Sequence, residues 1–458
     1  MDRLEPGAGM MTGRQVCIIG GGITGLTTAY RLVKAGYGVT VVEQNPETGG
    51  MLSSFQSGNS RLEHIYHHIF TSDTHVLGLA EELGLDHDIE WFEPRDALFG
   101  AGRLFPFTGP LDLLRCRIMP VPDRIRTGIA VLLAGRIRDF SSIEDQTAAE
   151  WLCRHGGRRA YEALWKPLLR SKFDMDADTV SAVWIWNKFK LRGGSRKGKA
   201  GRESLGYMKG SFARMIDRLA EEITARGGVI LTRCTALEIS RRDTGGYAVT
   251  SILEDCSART LPCDAVVACI AGRQFVNIAQ ALRLPAEYLD KASSVSHKAN
   301  LCLTLRLRDS LSRYYWTTIC DDLPFVVAVE HTNLTGTGPY LGPVLYLSRY
   351  LSIAHPLWTA TDDEIFRLFC SELGKMVPGF SADDVVEWRI KRTRYAQPVI
   401  PRGYSLLIAP MDTPDPGVKL ASLAQIYPED RGVNYAIRLA GQAASAVEAY
   451  LEETHREG

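Results

Sequence analysis

The glycine-rich segment IIGGGITGL, residues 18–26, constrains the fold more than any other part of the chain. It overlaps with QVCIIG (15–20), a largely apolar run that is typical of a strand buried on both faces of a parallel sheet. After it, apolar residues recur with the i, i+3, i+4, i+7 spacing of a helix face, at Leu26, Ala29, Tyr30 and Val33. VTVVE (39–43) predicts a second strand, so the chain opens with a strand–helix–strand unit.

Three glycines in the turn of this unit match the spacing GxGxxG. Gly20 makes the turn, Gly22 lets a phosphate approach the backbone, and Gly25 permits close packing of the helix on the strand. Ile23 and Thr24 lie at the start of the helix, where free N–H groups and the helix dipole favour an anion. The segment therefore predicts a site for the pyrophosphate of a dinucleotide.

An acidic residue at the end of the second predicted strand narrows the choice of dinucleotide. Glu43 can accept hydrogen bonds from both ribose hydroxyls of an adenosine, and Gln44 follows it. A carboxylate at this position disfavours a 2′-phosphate, which argues against NADP. A second glycine pair, Gly49 and Gly50, comes shortly afterwards.

The whole segment VCIIGGGITGLTTAYRLVKAGYGVTVVEQNPETGGMLSS (16–54) resembles the N-terminal signature of the flavin amine-oxidase superfamily. That group includes protoporphyrinogen oxidases, phytoene desaturases and UDP-galactopyranose mutases. The resemblance implies a resident FAD, and it implies that Gly50, Met51 and Leu52 lie along the pyrophosphate of this cofactor. The chain departs from the signature at Met51, where many members have an arginine.

Two later segments carry the same resemblance. GSFARMIDRLAEEITARGGVILTRCTALEIS (210–240) is similar to the second block of the family, which implies a backbone contact between Ala236 and the adenine. The helix predicted after YPEDRG is similar to the one whose N-terminus faces the flavin pyrimidine ring. The usual Gly-Asp before that helix is missing, and the contacts implied here are those of Asp430, Arg431, Val433 and Asn434.

These patterns predict an α/β fold with a discontinuous FAD-binding domain of the Rossmann type. We expect that domain to comprise residues 14–90, 208–285 and 395–453. An inserted α+β domain for the substrate would comprise residues 91–207 and 286–394. Because a second strand–GxGxxG–helix unit and a redox disulfide are both missing from the sequence, we expect no separate nicotinamide domain.

The segment EHIYHHIF (63–70) provides the first candidates for the catalytic site. HHIF resembles the HIFHT stretch of UDP-galactopyranose mutases, and His68 takes the position of the histidine that lies beside the flavin there. We therefore predict that Tyr66, His67 and His68 line the flavin, with a purely structural role as the alternative. We predict no metal site, because a fourth ligand at suitable spacing is lacking.

Two further segments contribute candidates. In SHKANLCLTLRLR the odd positions from 299 onward are apolar, so Lys298 and Asn300 share the other face of a strand, which either meets solvent or covers a substrate cavity. Several amine oxidases have a lysine near this point, and His297 competes with Lys298, since one residue changes the face. Tyr395, in RYAQPVIPRGY, is the third predicted catalytic residue, with loop packing as its alternative role.

Composition excludes some classes of function. Lys plus Arg and Asp plus Glu both number 53, so the net charge of zero gives no general attraction to nucleic acid. We also expect no transmembrane segment, and the scattered cysteines suggest free thiols and a cytoplasmic protein. The basic run KFKLRGGSRKGKAGR (188–202) fits either a solvated loop or a clamp for an anionic small-molecule substrate, through Arg196, Lys197 and Lys199. The oligomeric state stays open.

The sequence thus favours an FAD-dependent oxidoreductase of the oxidase or desaturase type, in a biosynthetic pathway. Such an enzyme would dehydrogenate a small molecule by hydride transfer to flavin N5. The alternative is a nucleotide-sugar mutase that uses reduced FAD without net redox change. A third possibility is a flavoprotein without catalytic activity.

Overall fold

A computed structural model describes residues 13–194 and 203–456 of the chain. Its strands, in chain order, are β1 (Gln15–Ile19), β2 (Gly38–Val42), β3 (Ser54–Ser57), β4 (Ser60–Glu63), β5 (Ile69–Phe70), β6 (Ile89–Phe92), β7 (Asp96–Gly100), β8 (Arg103–Pro106), β9 (Leu205–Met208), β10 (Val229–Leu231), β11 (Cys234–Arg241), β12 (Tyr247–Leu253), β13 (Ala258–Cys263), β14 (Ala265–Ala268), β15 (His297–Leu307), β16 (Trp316–Ile319), β17 (Val327–Glu330), β18 (Val344–Leu351), β19 (Val385–Pro398) and β20 (Val418–Leu420).

The helices, in chain order, are α1 (Ile23–Lys34), α2 (Thr74–Glu82), α3 (Pro110–Arg115), α4 (Val121–Ala134), α5 (Ala148–Gly156), α6 (Arg158–Ala160), α7 (Lys166–Phe173), α8 (Ala182–Gly194), α9 (Ala213–Ala225), α10 (Gly272–Ile278), α11 (Ala286–Ser294), α12 (Thr332–Thr335), α13 (Pro356–Thr359), α14 (Asp362–Met376), α15 (Tyr404–Leu407) and α16 (Val433–Arg456). A turn of π-helix, Tyr161–Trp165, joins α6 to α7.

A parallel sheet in the order β10-β2-β1-β14-β20 contains the strand–helix–strand unit of the glycine turn. Its strands come from well-separated parts of the chain, as the sequence predicts. The predicted face of α1 is buried on this sheet, because Leu26, Ala29, Tyr30 and Val33 are at most 5% exposed. The α/β fold class predicted from the glycine turn is therefore confirmed.

A second sheet runs in the order β19-β15-β18-β17-β16-β7-β8 and carries the predicted alternation of 299–308. Leu301, Leu303, Leu305 and Leu307 point from β15 into a core shared with α14, and each is at most 1% exposed. The opposite face is also buried, since Cys302 packs in a different cluster with Tyr346. The structure therefore contradicts a solvent-facing surface here, and the alternative, that this face covers a substrate cavity, stays a prediction.

Three of the predicted domain boundaries fall within strands. The boundary between residues 90 and 91 falls within β6, and the boundary between 207 and 208 falls within β9, which pairs with β5 and β6. The boundary at 394–395 likewise falls within β19. The predicted residue bounds of the two domains stay predictions.

A layer of helices, α3 to α8, covers one end of the second sheet. Its core is rich in tryptophan, with Trp151, Trp165, Trp184 and Trp186 at most 7% exposed. Among the described residues, no helix combines the length and apolarity needed to cross a bilayer.

The sequence-derived alternation on β15 can be tested by shortening one leucine. Leu303→Ala removes a fully buried side chain and should lower the free energy of unfolding by about 2–5 kcal/mol. Leu406→Ala is the matched control, because Leu406 is 77% exposed and its loss should change stability by less than about 0.5 kcal/mol. Urea unfolding followed by tryptophan fluorescence measures both values. Equal effects of the two changes would contradict the assignment of the buried face.

Candidate active site

The first glycine turn is held by contacts that only glycine permits. Gly20 has a φ of 107° and its N–H donates to the Val42 carbonyl at 2.8 Å. A Cβ on Gly25 would lie 1.9 Å from the Gly20 carbonyl oxygen, so α1 approaches the turn too closely for any side chain. The predicted roles of Gly20 in the turn and of Gly25 in helix packing agree with this geometry.

The second glycine pair lies directly beside the first. Gly49 donates its N–H to the Gly21 carbonyl at 2.8 Å, and a Cβ on Gly50 would lie 3.2 Å from the Gly22 Cα. The turn that follows buries Leu52 and leaves Met51 half-buried. Residues 20–25 and 49–52 therefore form one backbone cradle whose centre has no side chains.

The cradle opens at the N-terminus of α1. No side chain caps this helix end and its first turn holds no acidic residue, so the N–H groups around Ile23 and Thr24 can meet an anion. These residues fit a pyrophosphate for two reasons. The glycines leave the backbone open to the phosphates, and the uncapped start of α1 offers them free N–H groups.

The last helix starts at the same end of the sheet as the first. Thr28, in the second turn of α1, donates its hydroxyl to the Ala440 carbonyl in the second turn of α16 at 3.3 Å. Arg14, at the opposite end of the sheet, donates to the Thr454 hydroxyl near the end of α16. The two helices are therefore parallel, and their N-termini lie side by side.

Glu43 is buried beside the cradle, only 5% exposed. Its carboxylate accepts the Gly21 N–H at 2.7 Å through Oε2, and the Asn45 backbone N–H at 2.8 Å and side-chain amide at 2.6 Å through Oε1. A carboxylate has room for about four hydrogen bonds, so one position, on Oε2, is left for a ribose hydroxyl. Gln44 is exposed.

Ala236 lies close to Glu43 through the backbone. The Cys234 N–H donates to the Glu43 carbonyl at 2.9 Å, and β11 has a bulge between Ala236 and Glu238. Ala236 therefore lies two residues beyond a backbone contact with Glu43, and its implied contact with the adenine stays a prediction.

A buried carboxylate precedes α16. Asp430 is 4% exposed and lies 2.6 Å from the Lys188 Nζ and 3.8 Å from the Lys172 Nζ, while the Gln397 amide donates to it at 3.2 Å. Burial disfavours its charge, but Lys188, Lys172 and Arg431 outweigh that effect and hold the pKa of Asp430 well below its usual range. Burial lowers the pKa of Lys172 to about 8, although Asp430 acts in the opposite direction.

Arg431 continues this cluster towards β18. Its guanidinium donates to the Gln397 side-chain oxygen at 3.1 Å and to the Tyr350 hydroxyl. Val433 begins α16, and the Asn434 side-chain oxygen accepts the N–H groups of His75 and Val76 at the start of α2. Asn434 therefore fixes the neighbouring helix, and its predicted contact with the cofactor stays a prediction.

Lys298 lies next to Gln397 across the β15–β19 pair. It is 5% exposed, and its Nζ lies 2.7 Å from the Asp176 carboxylate. Nearby, Arg349 lies 3.9 Å from Asp174. We call the groups gathered here the charge cluster: Lys172, Lys188, Lys298, Arg349, Arg431, Asp174, Asp176 and Asp430. Five cations face three carboxylates, so the cluster carries an excess of positive charge.

The sequence indicates only part of the charge cluster. Lys188 starts the predicted basic run, but Lys172 and Asp176 carry no local signal, because a lysine or aspartate in a helical segment is usually on a solvated face. Arg196, Lys197 and Lys199, the predicted anion clamp, lie outside the described residues.

The histidines of 63–70 point in different directions. The His68 Nδ1 lies 3.0 Å from the Tyr315 hydroxyl, and its ring contacts Trp316 of β16. Burial, together with a smaller effect of the Arg431 charge, lowers the pKa of His67 to about 4, although the contact with the Ile65 carbonyl acts in the opposite direction. His67 therefore lies nearer to the charge cluster than the sequence resemblance, which singles out His68, implies.

Tyr395 packs against His297, with ring centroids 5.5 Å apart and perpendicular planes. Burial lowers the pKa of His297 to about 4. Gln397, two residues further on, contacts Asp430 and Arg431, as described above. The structure thus groups Lys298 with the charge cluster, and Tyr395 with His297.

The chain matches the profile of a known protein family and is similar to several characterised proteins. The profile of the family described as flavin containing amine oxidoreductase matches residues 23–447. The zeta-carotene desaturase of Zea mays is 26% identical over 201 residues, which is 39% of this chain and 35% of that protein. Protoporphyrinogen oxidase 2 of Arabidopsis thaliana is 23% identical over 228 residues, or 44% of each chain. These matches span between about a third and half of the relatives' length.

Solved structures share the fold over nearly the whole chain. Cyclohexylamine oxidase from Brevibacterium oxydans superposes with a TM-score of 0.71 at 18% identity, covering 97% of this chain and 100% of that one. An oxidoreductase from Methanosarcina mazei gives a TM-score of 0.71 at 15% identity, with 94% and 100% covered. Because the family profile matches most of the chain, the protein belongs to the flavin containing amine oxidoreductase family.

Proposed function

We propose that the protein binds FAD and dehydrogenates a small anionic molecule. The observation that carries the cofactor assignment is the glycine cradle, which lies between Glu43 and two parallel helix N-termini. Glu43 favours a dinucleotide with an unphosphorylated adenosine ribose, which FAD has and FMN lacks. The family description supports a flavin.

The chain offers a holding group for each part of this cofactor. Gly20, Gly22, Gly25 and Gly50 would hold the pyrophosphate, and Glu43 the adenosine ribose. Ala236 would meet the adenine, and the N-terminus of α16 at Val433 would face the flavin ring. When bound, FAD supplies a two-electron acceptor for the hydride of a substrate C–H bond.

The charge cluster supports an anionic substrate. Lys172, Lys188 and Arg431 would bind its negative group, because their charge exceeds that of Asp430. The buried face of β15 would keep water from the reacting bond, since Asn300 and Cys302 are at most 1% exposed. Excluding water strengthens the electrostatic contacts of the site.

The catalytic roles of His68, Lys298 and Tyr395 stay predictions. Lys298 is the best supported of the three, because it lies beside Gln397 in the charge cluster, where its ammonium can orient the substrate. His67 joins the candidates as a neutral group near Arg431. The free thiols, such as buried Cys17 and Cys302, favour a reducing compartment, and a cytoplasmic location is therefore part of the proposal. The role in a biosynthetic pathway stays a prediction.

Anaerobic titration distinguishes this function from its alternatives. FAD-loaded protein should be bleached by a member of a carboxylate or phosphate pool, with one product molecule per flavin reduced. A nucleotide-sugar mutase would instead turn over only after reduction with dithionite and would leave the flavin redox state unchanged. Bleaching by amines or neutral hydrocarbons alone would contradict the anionic substrate while leaving the FAD oxidoreductase intact.

The cofactor assignment predicts the effect of removing the Glu43 carboxylate. Glu43→Ala should weaken FAD retention by about 10- to 100-fold, because it removes a charge-assisted hydrogen bond to the ribose and the contact that holds the Gly21 N–H in the cradle. Gln44→Ala is the control, since Gln44 is exposed and should leave retention unchanged. Flavin absorbance after gel filtration measures retention, and chromatography of the released flavin separates FAD from FMN. Wild-type protein that never takes up FAD would contradict the proposal.

The depressed pKa of Lys172 predicts an alkaline loss of substrate affinity. Below about pH 8 its ammonium is charged, and above that value it is neutral, so KM should rise as the pH passes 8. Lys172→Arg should abolish this rise, because a guanidinium stays protonated. Lys172→Gln should raise KM about 10- to 100-fold at pH 7.

Lys166→Gln on the same helix provides the matched control for these variants. Lys166 pairs with Glu162 on the surface, 2.9 Å away, and should leave KM unchanged. Steady-state kinetics from pH 6 to 9 with the substrate found by titration provide the measurement. An unaltered alkaline limb in Lys172→Arg would exclude Lys172 as the titrating group.

A further inference from the structure

Large exposed apolar side chains concentrate on two helices of the helical layer. Each is between 48% and 71% exposed, and together they form what we call the α3–α4 face: Leu111, Leu114, Val121, Ile125, Ile129 and Leu132. On α4 their spacing places them on one side of the helix. A contiguous exposed apolar surface of this kind marks an interaction site.

Helix α4 has the reverse of the usual arrangement for a surface helix. The side that faces the protein carries Asp123, Thr127, Ala130 and Ala134, which are buried. The side that faces outward carries the larger apolar residues. Packing within this chain therefore does not account for Ile125, Ile129 and Leu132, because alanine and threonine already fill the inner contact.

The exposed charges around the α3–α4 face are mostly positive. The exposed charged side chains between residues 111 and 139 are five arginines and one aspartate: Arg115, Arg117, Arg126, Arg136, Arg138 and Asp139. Between residues 111 and 138, Asp112 and Asp123 are hydrogen-bonded or buried within the protein. Asp112 accepts the N–H groups of Thr108 and Gly109, and Asp123 is 8% exposed. The apolar side chains thus lie among five exposed cations, and the exposed carboxylate of Asp139 can balance only one of them.

A cavity beside the start of α4 extends the basic region. It has a volume of about 660 Å³, and its lining includes Ile118, Pro120, Arg158 and Arg159. Both arginines are exposed. Glu162 also lines the cavity, but its carboxylate pairs with Lys166 at 2.9 Å.

We propose that the α3–α4 face docks on an anionic lipid bilayer. Leucine and isoleucine side chains at its centre would enter the boundary between headgroups and acyl chains, as an amphipathic helix lying in the interface does. The surrounding arginines would contact lipid phosphates, each adding to the attraction. A protein partner would need an acidic rim of matching shape, whereas an anionic membrane supplies negative charge in any orientation.

Vesicle flotation with the full chain loaded with FAD tests this docking. Wild-type protein should float with vesicles of equal parts phosphatidylglycerol and phosphatidylcholine, and at least tenfold less with phosphatidylcholine alone. The triple variant Ile125→Asn/Ile129→Asn/Leu132→Asn should reduce binding at least tenfold. Leu341→Asn/Leu406→Asn, which changes two leucines exposed by 60% and 77% elsewhere, is the matched control and should bind like wild type.

A charge variant tests the second half of the proposal. Arg115→Gln/Arg126→Gln/Arg136→Gln should also reduce binding at least tenfold, and 1 M salt should weaken the wild type, because it shortens the screening distance to about 3 Å. Retention of FAD by every variant shows that the fold is intact and that a binding loss is independent of the proposed catalytic function.

Three results would overturn the docking proposal. The first is wild-type protein that does not float with anionic vesicles. The second is binding that both the triple variant and the charge variant leave unchanged. The third is a wild-type dimer, seen by light scattering, that the triple variant dissociates, since the α3–α4 face would then contact a second copy of the chain.

Discussion

The arrangement of the parallel sheet, the second sheet and the helical layer depends on the contacts of one buried group, the carboxylate of Asp430. Lys172 and Lys188 reach it from the helical layer, Gln397 from the second sheet, and the residue itself leads into α16. An unpaired charge at this depth would be strongly unfavourable, and breaking such a pair typically costs about 3–5 kcal/mol. The helical layer is therefore held against the cofactor side of the molecule by charge as well as by apolar packing.

The carboxylates of the charge cluster also fix the positions of its cations. Lys298 and Arg349 are held by carboxylates of a single turn, Asp176 and Asp174, which follows directly on α7. Lys172, from α7 itself, lies at the partly exposed side. A negative group that enters here meets cations whose positions are already fixed, so little reorganisation accompanies its binding.

Local sequence predicted the part of the fold around the parallel sheet well, because its signals are local. The glycine turn, the apolar face of α1, β2 and α16 each lie within one continuous segment, and steric demands at Gly20 and Gly25 leave few alternatives. The leucine alternation on β15 was equally readable, since a strand has a period of two.

The charge cluster could be predicted only in part, because its members meet through the fold and come from distant segments. Lys172, Asp176 and Arg349 have no common pattern in the sequence. EHIYHHIF contains adjacent histidines outside a regular element, so no periodicity decides which of His67 and His68 turns towards Arg431. In that segment a family resemblance identified the region but not the side chain.

The parallel pairing of the first and last helices has a consequence for biosynthesis. Thr28 and Ala440, which join them, are 412 positions apart in the chain. While the ribosome is still making the middle of the protein, the glycine cradle has one helix N-terminus and lacks the other. Both helix N-termini that the proposed FAD would contact exist only after α16 has emerged, so we expect its insertion to be a late event in biosynthesis.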